Sequence, residues 1–185
     1  MNDCLIVYDS VYGHTRQYAA WLGAALGCPV KMRRDVKVDE LAACRQIIYG
    51  GGLYAGAMRG TKRLLARIPS PQDKSIIVFT CGLADPGLAK TAADLRARLD
   101  QVIPSSLHGR VPVFHLRGGM DYARLHTGHR LAMWLLYRHI RRKAFADMTA
   151  EDRAFLASYG STLRFLDRAA LDPIVAAARH GQRPA

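Results

Sequence analysis

The sequence predicts an α/β fold: a doubly wound, three-layer arrangement of five parallel strands with helices on both faces. Short apolar runs alternate with segments of helical spacing along the whole chain, the pattern of a parallel sheet joined by right-handed crossovers. Ile76-Ile77-Val78-Phe79 is continuously apolar, as a strand buried on both faces requires. Near the start, the run Cys4 to Tyr8 breaks into a short loop with hydroxyls and a glycine. Helical spacing follows at once, with Tyr18, Ala19, Leu22, Ala25 and Leu26 on one face.

After this first helix Gly27 stops the pattern, and Pro29-Val30-Lys31-Met32 reads as a short second strand. Val38 to Cys44 fits one or two helical turns. Gln46-Ile47-Ile48-Tyr49 is the third strand, ending in a loop that opens with Gly50-Gly51-Gly52. A helix with Leu64, Leu65 and Ile68 on its apolar side stops at Pro69. Ser75 to Thr80 is the fourth strand. Asp85 suits the cap of the next helix and Pro86 its first position, with Leu88, Ala92, Leu95, Leu99 and Val102 as its stripe. Val111 to Leu116 is the fifth strand, placed at an edge by Pro112. Thr149 to Asp152 reads as a capping box opening the last clear helix, with the stripe Phe155, Leu156, Tyr159, Leu163 and Leu166. The domain is expected to span residues 1–172. Residues 173–185 form a tail with room for a further helical turn, loose from Arg179 onward.

Strand, loop and helix N-terminus in that order aim backbone N–H groups and the positive end of a helix dipole at one point, a site for a phosphate. The loop offers Ser10, Val11, Tyr12, Gly13, His14 and Thr15. It has no lysine, and both G-x-x-x-x-G-K-[ST] and G-x-G-x-x-G are absent. Hydroxyls, amides and one histidine suit a monophosphate better than a polyphosphate. In this register Ile6, Val7, Tyr8, Ser10, Gly13, Thr15, Ala19 and Leu22 resemble the phosphate loop of the flavodoxins, which bind flavin mononucleotide (FMN).

That resemblance implies strand order 2-1-3-4-5, with the loops after strands 1, 3, 4 and 5 meeting at the switch between strands 1 and 3. It assigns Gly52, Leu53, Tyr54, Ala55 and Gly56 to the edge of the flavin ring, with Tyr54 available to stack on it. Cys81, Gly82 and Leu83 then close the other side. Cys81 has no evident base beside it and reads as a pocket-lining thiol. Within the group, Gly50 to Gly56, the stretch Gly118-Gly119-Met120-Asp121-Tyr122 and the extra segment before the last helix are similar to the bacterial quinone-dependent protoporphyrinogen oxidase type. Gly118 to Tyr122 are therefore expected at the cofactor. The chain departs from that type at Asp121 and at Tyr54, where basic residues are common, and both departures bear on the substrate. No catalytic acid or base is assigned.

Half of the 185 residues are hydrophobic, enough for one domain with a substantial core. Cys4, Cys28, Cys44 and Cys81 are widely spaced without a C-x-x-C pair, which reads as buried thiols in a reducing cytoplasm rather than a disulfide frame or zinc site. No signal peptide is expected from the opening residues, and no window approaches the ~20 apolar residues of a spanning helix. Lys and Arg number 27 against 15 acids, a formal +12. Such a surface points to an anionic partner.

The charge gathers in the basic insert between the fifth strand and the last helix, 121–148. Between Asp121 and Asp147 there is no carboxylate, but there are Arg124, Arg130, Arg138, Arg141, Arg142 and Lys143, with His126, His129 and His139. Leu131 to Tyr137, with Trp134 at its centre, is too short to span a bilayer. Apolar residues with a Trp between cations fit a segment lying in the interface of an anionic membrane, with contact through 124–143. The alternative is a core helix or a homo-oligomer contact. A nucleic-acid groove has no recognition motif to support it, and His126 and His129 lack a third metal ligand. The resemblance implies hydride transfer from a porphyrinogen-like anionic substrate to FMN and on to a quinone, in a cytoplasmic protein able to sit on the inner face of the membrane. Two other functions fit the same residues: a soluble electron carrier, or a flavin-free binding module working through its insert.

Overall fold

The computed structural model describes residues 3–54, 57–58, 60–87 and 89–181. β1 (Cys4–Asp9) leads into α1 (His14–Leu26), then β2 (Val30–Met32), α2 (Val38–Ala43), β3 (Gln46–Tyr54), β4 (Ala57–Met58), α3 (Thr61–Leu65), β5 (Ser75–Gly82), α4 (Ala89–Asp100) and β6 (Val113–Arg117). β7 (Gly119–Asp121), α5 (Thr127–Arg141), α6 (Ala150–Ser158), β8 (Thr162–Arg164) and α7 (Asp172–Gly181) complete the order. The chain forms two compact units, Met1–Gly118 with Leu166–Ala185, and Gly119–Phe165.

In the first unit the parallel strands run β2-β1-β3-β5-β6, the expected order once the antiparallel β4 is set aside. Registers Tyr8↔Gly50, Gly50↔Phe79 and Cys81↔Leu116 bring the C-terminal ends of β1, β3, β5 and β6 to one side. Each sheet face carries its own core. Leu41, Leu64, Leu65 and Leu99 cover one with Val7, Ile47, Tyr49 and Val78. On the other, Tyr18, Ala19 and Leu22 of α1 and Ile174 and Ala178 of α7 cover Ile6, Ile48, Ile77 and Phe79. Alternate residues of one strand thus serve opposite faces, each buried aliphatic contributing ~1.5–3 kcal/mol relative to exposure.

Several local expectations are corrected. The glycine run is strand, not loop: β3 continues through Gly50, Gly51 and Gly52 to Tyr54 and pairs with β4. Beside Gly50 the Phe79 ring stands where a side chain would go, its Cζ 2.0 Å from an ideal Cβ. The helix opened by the Thr149–Asp152 capping box ends at Ser158. Gly160 turns the chain with φ +85, and Leu163 lies in β8 opposite Met120. Leu166 packs instead on the α1 face of the sheet. The expected tail is helix α7 as far as Gly181, because Ile174 and Ala178 are fully buried. Gln46 Nε2 also donates to the Ala178 carbonyl at 2.8 Å. Asp85 accepts from the Gly87 amide in a turn ahead of α4, and Leu88 lies outside the described residues.

The second unit pairs β7 with β8 antiparallel and packs α5 beside α6. Tyr137 of α5 stacks on Tyr159, ring centroids 4.1 Å apart. Lys143 Nζ donates to Asp152 Oδ2 at 2.8 Å, which with the Thr149 amide holds that carboxyl below the usual range. Leu131, Trp134, Leu135 and Leu136 of α5 are exposed. No helix among the described residues is long and apolar enough to cross a membrane.

Candidate functional site

The loop between β1 and α1 turns on Gly13, at φ +92 with open space where a Cβ would project. Ser10 Oγ accepts from the Gly13 amide at 3.0 Å and fixes the turn. The first backbone bond of α1 runs from the Gln17 amide to the Gly13 carbonyl, so the amides ahead of it have no acceptor within the helix. Residues 10–16 contain no carboxylate. The one acid at the strand end, Asp9, is held by Arg33, whose Nε donates to Oδ2 at 2.8 Å.

Around this turn the structure gathers most of the residues read from the sequence. Tyr54, at the end of β3, accepts from the Val11 amide through its hydroxyl at 3.2 Å, and its ring lies 6.1 Å from that of Tyr12. The Tyr54 ring also folds over Gly52, where an added Cβ would meet Cε2 and Oη at 2.8 Å. Thr15 is buried, and its hydroxyl bonds the Cys81 thiol. Burial pushes that thiol up to about 12, so Cys81 is an inert wall group. Gly118 donates to the Gly82 carbonyl at 2.7 Å. Its missing side chain leaves room for Cys81 Sγ, 2.7 Å from an ideal Cβ, and for His14 Cβ at 3.6 Å. Gly82 in turn abuts Leu53, and Leu83 is half-buried just past β5. Loops after β1, β3, β5 and β6 thus adjoin one another.

Ala55 and Gly56 lie outside the described residues. Gly119, Met120, Asp121 and Tyr122 belong to the second unit. There Gly119, Met120 and Asp121 form β7, the Asp121 carboxylate caps a short turn by accepting from the Ala123 amide at 3.0 Å, and Tyr122 meets Tyr159 edge-on.

Two supports were not read from the sequence. The Tyr49 hydroxyl bonds Arg33 and Thr61, and Arg33 Nε lies 2.3 Å from an ideal Cβ on Gly60. The Asp9–Arg33 pair therefore reaches the segment after β4. The Tyr18 hydroxyl donates to the Arg117 carbonyl at 2.7 Å and accepts from the Asp167 amide at 3.1 Å, tying the end of β6 to α1 and to the returning chain. A cation just after the second strand and an acid closing the first were the available signal for the first support. Tyr18 sits on an apolar stripe, and its hydroxyl partners gave none.

These residues fit a phosphate monoester. An acid-free turn, an open αL glycine, two hydroxyls and the N-terminal end of a 13-residue helix present donors and no competing negative charge. Ser10, Val11, Gly13, His14 and Thr15 would hold the phosphate; Leu53, Tyr54 and Gly82 border the ring side.

A family model described as a flavodoxin domain matches residues 5–147. No curated protein matches the chain. Among solved structures, a flavodoxin from the domain Archaea is 17% identical, with 62% of this chain and 82% of that one covered and a TM-score of 0.43. Oxidised flavodoxin 2 from Bacillus cereus is 18% identical, with 62% and 84% covered and a TM-score of 0.40. An NADPH-quinone reductase from P. pentosaceus is 12% identical, with 78% and 99% covered and a TM-score of 0.43. With the family model matching most of its length, the chain belongs to the flavodoxin domain family, whose cofactor is flavin mononucleotide.

Proposed function

We propose that this protein is an FMN-dependent oxidoreductase of the quinone-linked protoporphyrinogen oxidase type, working at the surface of an anionic membrane. The bound flavin supplies a two-electron acceptor for hydride from the porphyrinogen and a donor to the quinone. The chain's residues bind and orient it: the Ser10–Thr15 turn holds the phosphate end, while Leu53, Tyr54 and Gly82 flank the ring.

The observation that carries the finer reading is α5. It exposes Leu131, Trp134, Leu135 and Leu136, and Arg138 lies over the Trp134 ring at 4.8 Å. Residues 124–143, which include this helix, hold six Lys and Arg without a carboxylate. An apolar helix face rimmed by cations suits an anionic lipid surface, where a quinone would be met. The +12 balance suits a substrate with propionates.

Anaerobic reduction of the FMN-loaded protein by protoporphyrinogen IX, then reoxidation by a quinone, tests the chemistry. Flotation with anionic against neutral vesicles tests the membrane contact. A protein whose bound FMN stays oxidised with the porphyrinogen, yet exchanges single electrons with a reductase, is the electron carrier that family membership also supports. One that binds no FMN fails both redox readings.

A further inference from the structure

We propose that Tyr54 is an internal ligand of the phosphate turn, holding the Val11 amide until a phosphate replaces it. This rests on the FMN reading and adds a residue-level step to it. The Val11 amide lies in the turn that presents the donors, and its partner comes from 43 residues away, the Tyr54 hydroxyl at 3.2 Å. Two further contacts hold the phenol there. The Tyr54 ring covers Gly52 so closely that a Cβ would stand 2.8 Å from Cε2, and Tyr12 leans on it at 6.1 Å. Tyr54 is half-buried at the end of β3.

A backbone N–H carries one hydrogen, and a neutral phenol is a weaker acceptor for it than a phosphate oxygen. In the flavin-free protein Tyr54 therefore keeps the turn satisfied and in shape. On binding, the Val11 amide exchanges phenol for phosphate and Tyr54 is released toward the ring side. A flavin without phosphate leaves the Tyr54–Val11 bond untouched. Tyr54 thus lowers the affinity for the phosphorylated flavin alone.

The test uses the full-length, flavin-stripped protein titrated with FMN and with riboflavin. Tyr54→Phe keeps the ring and removes the acceptor. It should tighten FMN binding roughly three- to tenfold, the worth of one net hydrogen bond, and raise the preference for FMN over riboflavin. FMN affinity that is unchanged or weaker overturns the proposal. If neither wild type nor variant binds FMN, the flavin reading fails. The handover is then read with inorganic phosphate alone through the Val11 amide resonance. That resonance must respond at lower phosphate in Tyr54→Phe than in wild type, and an equal or weaker response overturns the proposal. Gly52→Ala supplies an independent variant by driving the Tyr54 ring aside. Without flavin its Val11 resonance should match that of Tyr54→Phe; one that stays at the wild-type position counts against the contact.

Discussion

Arg33 Nε donates to Asp9 Oδ2 at 2.8 Å, and the two side chains are only 24% and 16% exposed. The pair closes the end of the first strand against the turn after the second, with the Tyr49 hydroxyl on the same guanidinium. Arg33→Met leaves the carboxylate half-buried without its cation. It should lower unfolding free energy by about 1.5–3 kcal/mol, the range for hydrogen bonds to charged groups, measured by urea denaturation. An unchanged midpoint would mean that solvent replaces the pair.

Gly50 and Gly13 should resist substitution for different reasons. Gly50→Ala drives a methyl into the Phe79 ring, 2.0 Å from Cζ, and should cost about 1–3 kcal/mol as overpacking. Gly13→Ala meets no atom within 4 Å but sits at φ +92, at a cost of roughly 1–2 kcal/mol. Phe79→Leu should rescue the first variant and leave the second as it was, read as shifts in Tm.

His115 Nδ1 lies 2.8 Å from Thr80 Oγ1. Burial first, and the Arg96 charge second, hold its imidazole below the ordinary 6.5. The unfolded chain then binds the proton more readily than the folded one. This contribution is complete above pH 6.5 and is lost as pH falls toward the folded value. His115→Asn should flatten the acid limb of stability below pH 6.5, measured as the urea midpoint against pH. An unaltered acid limb would assign it to other groups.

Ile174 is fully buried beneath the sheet. Ile174→Ala should cost about 2–5 kcal/mol, whereas a residue in a loose tail would cost almost nothing. Thermal unfolding separates the two.

The parallel sheet was legible because its strands carry their own signature: Ile76 to Phe79 is apolar at every position, and Ser10, Gly13 and Thr15 mark a strand turning into a helix. Where two structures share one pattern, spacing alone does not choose between them. Phe155, Leu156, Tyr159, Leu163 and Leu166 keep helical spacing, yet Gly160 breaks them into a helix, a strand and a core contact, a division visible only once Met120 supplies the partner for Leu163. Gly50 reads as the start of a loop because the Phe79 ring that needs its space is 29 residues away in sequence. For the site, the phosphate turn could be read from its own residues. The Tyr54–Val11 bond joins residues 43 apart and has no local trace.

Helix α7 returns to the sheet after a separate unit has intervened, and it seals the face that α1 covers only in part. During synthesis the nascent sheet must therefore wait, with Ile48 and Ile77 partly uncovered, until Asp172–Gly181 leaves the ribosome. Residues 119–165 emerge during that interval. Folding of the larger unit is thus timed by the arrival of α7 rather than by completion of β6.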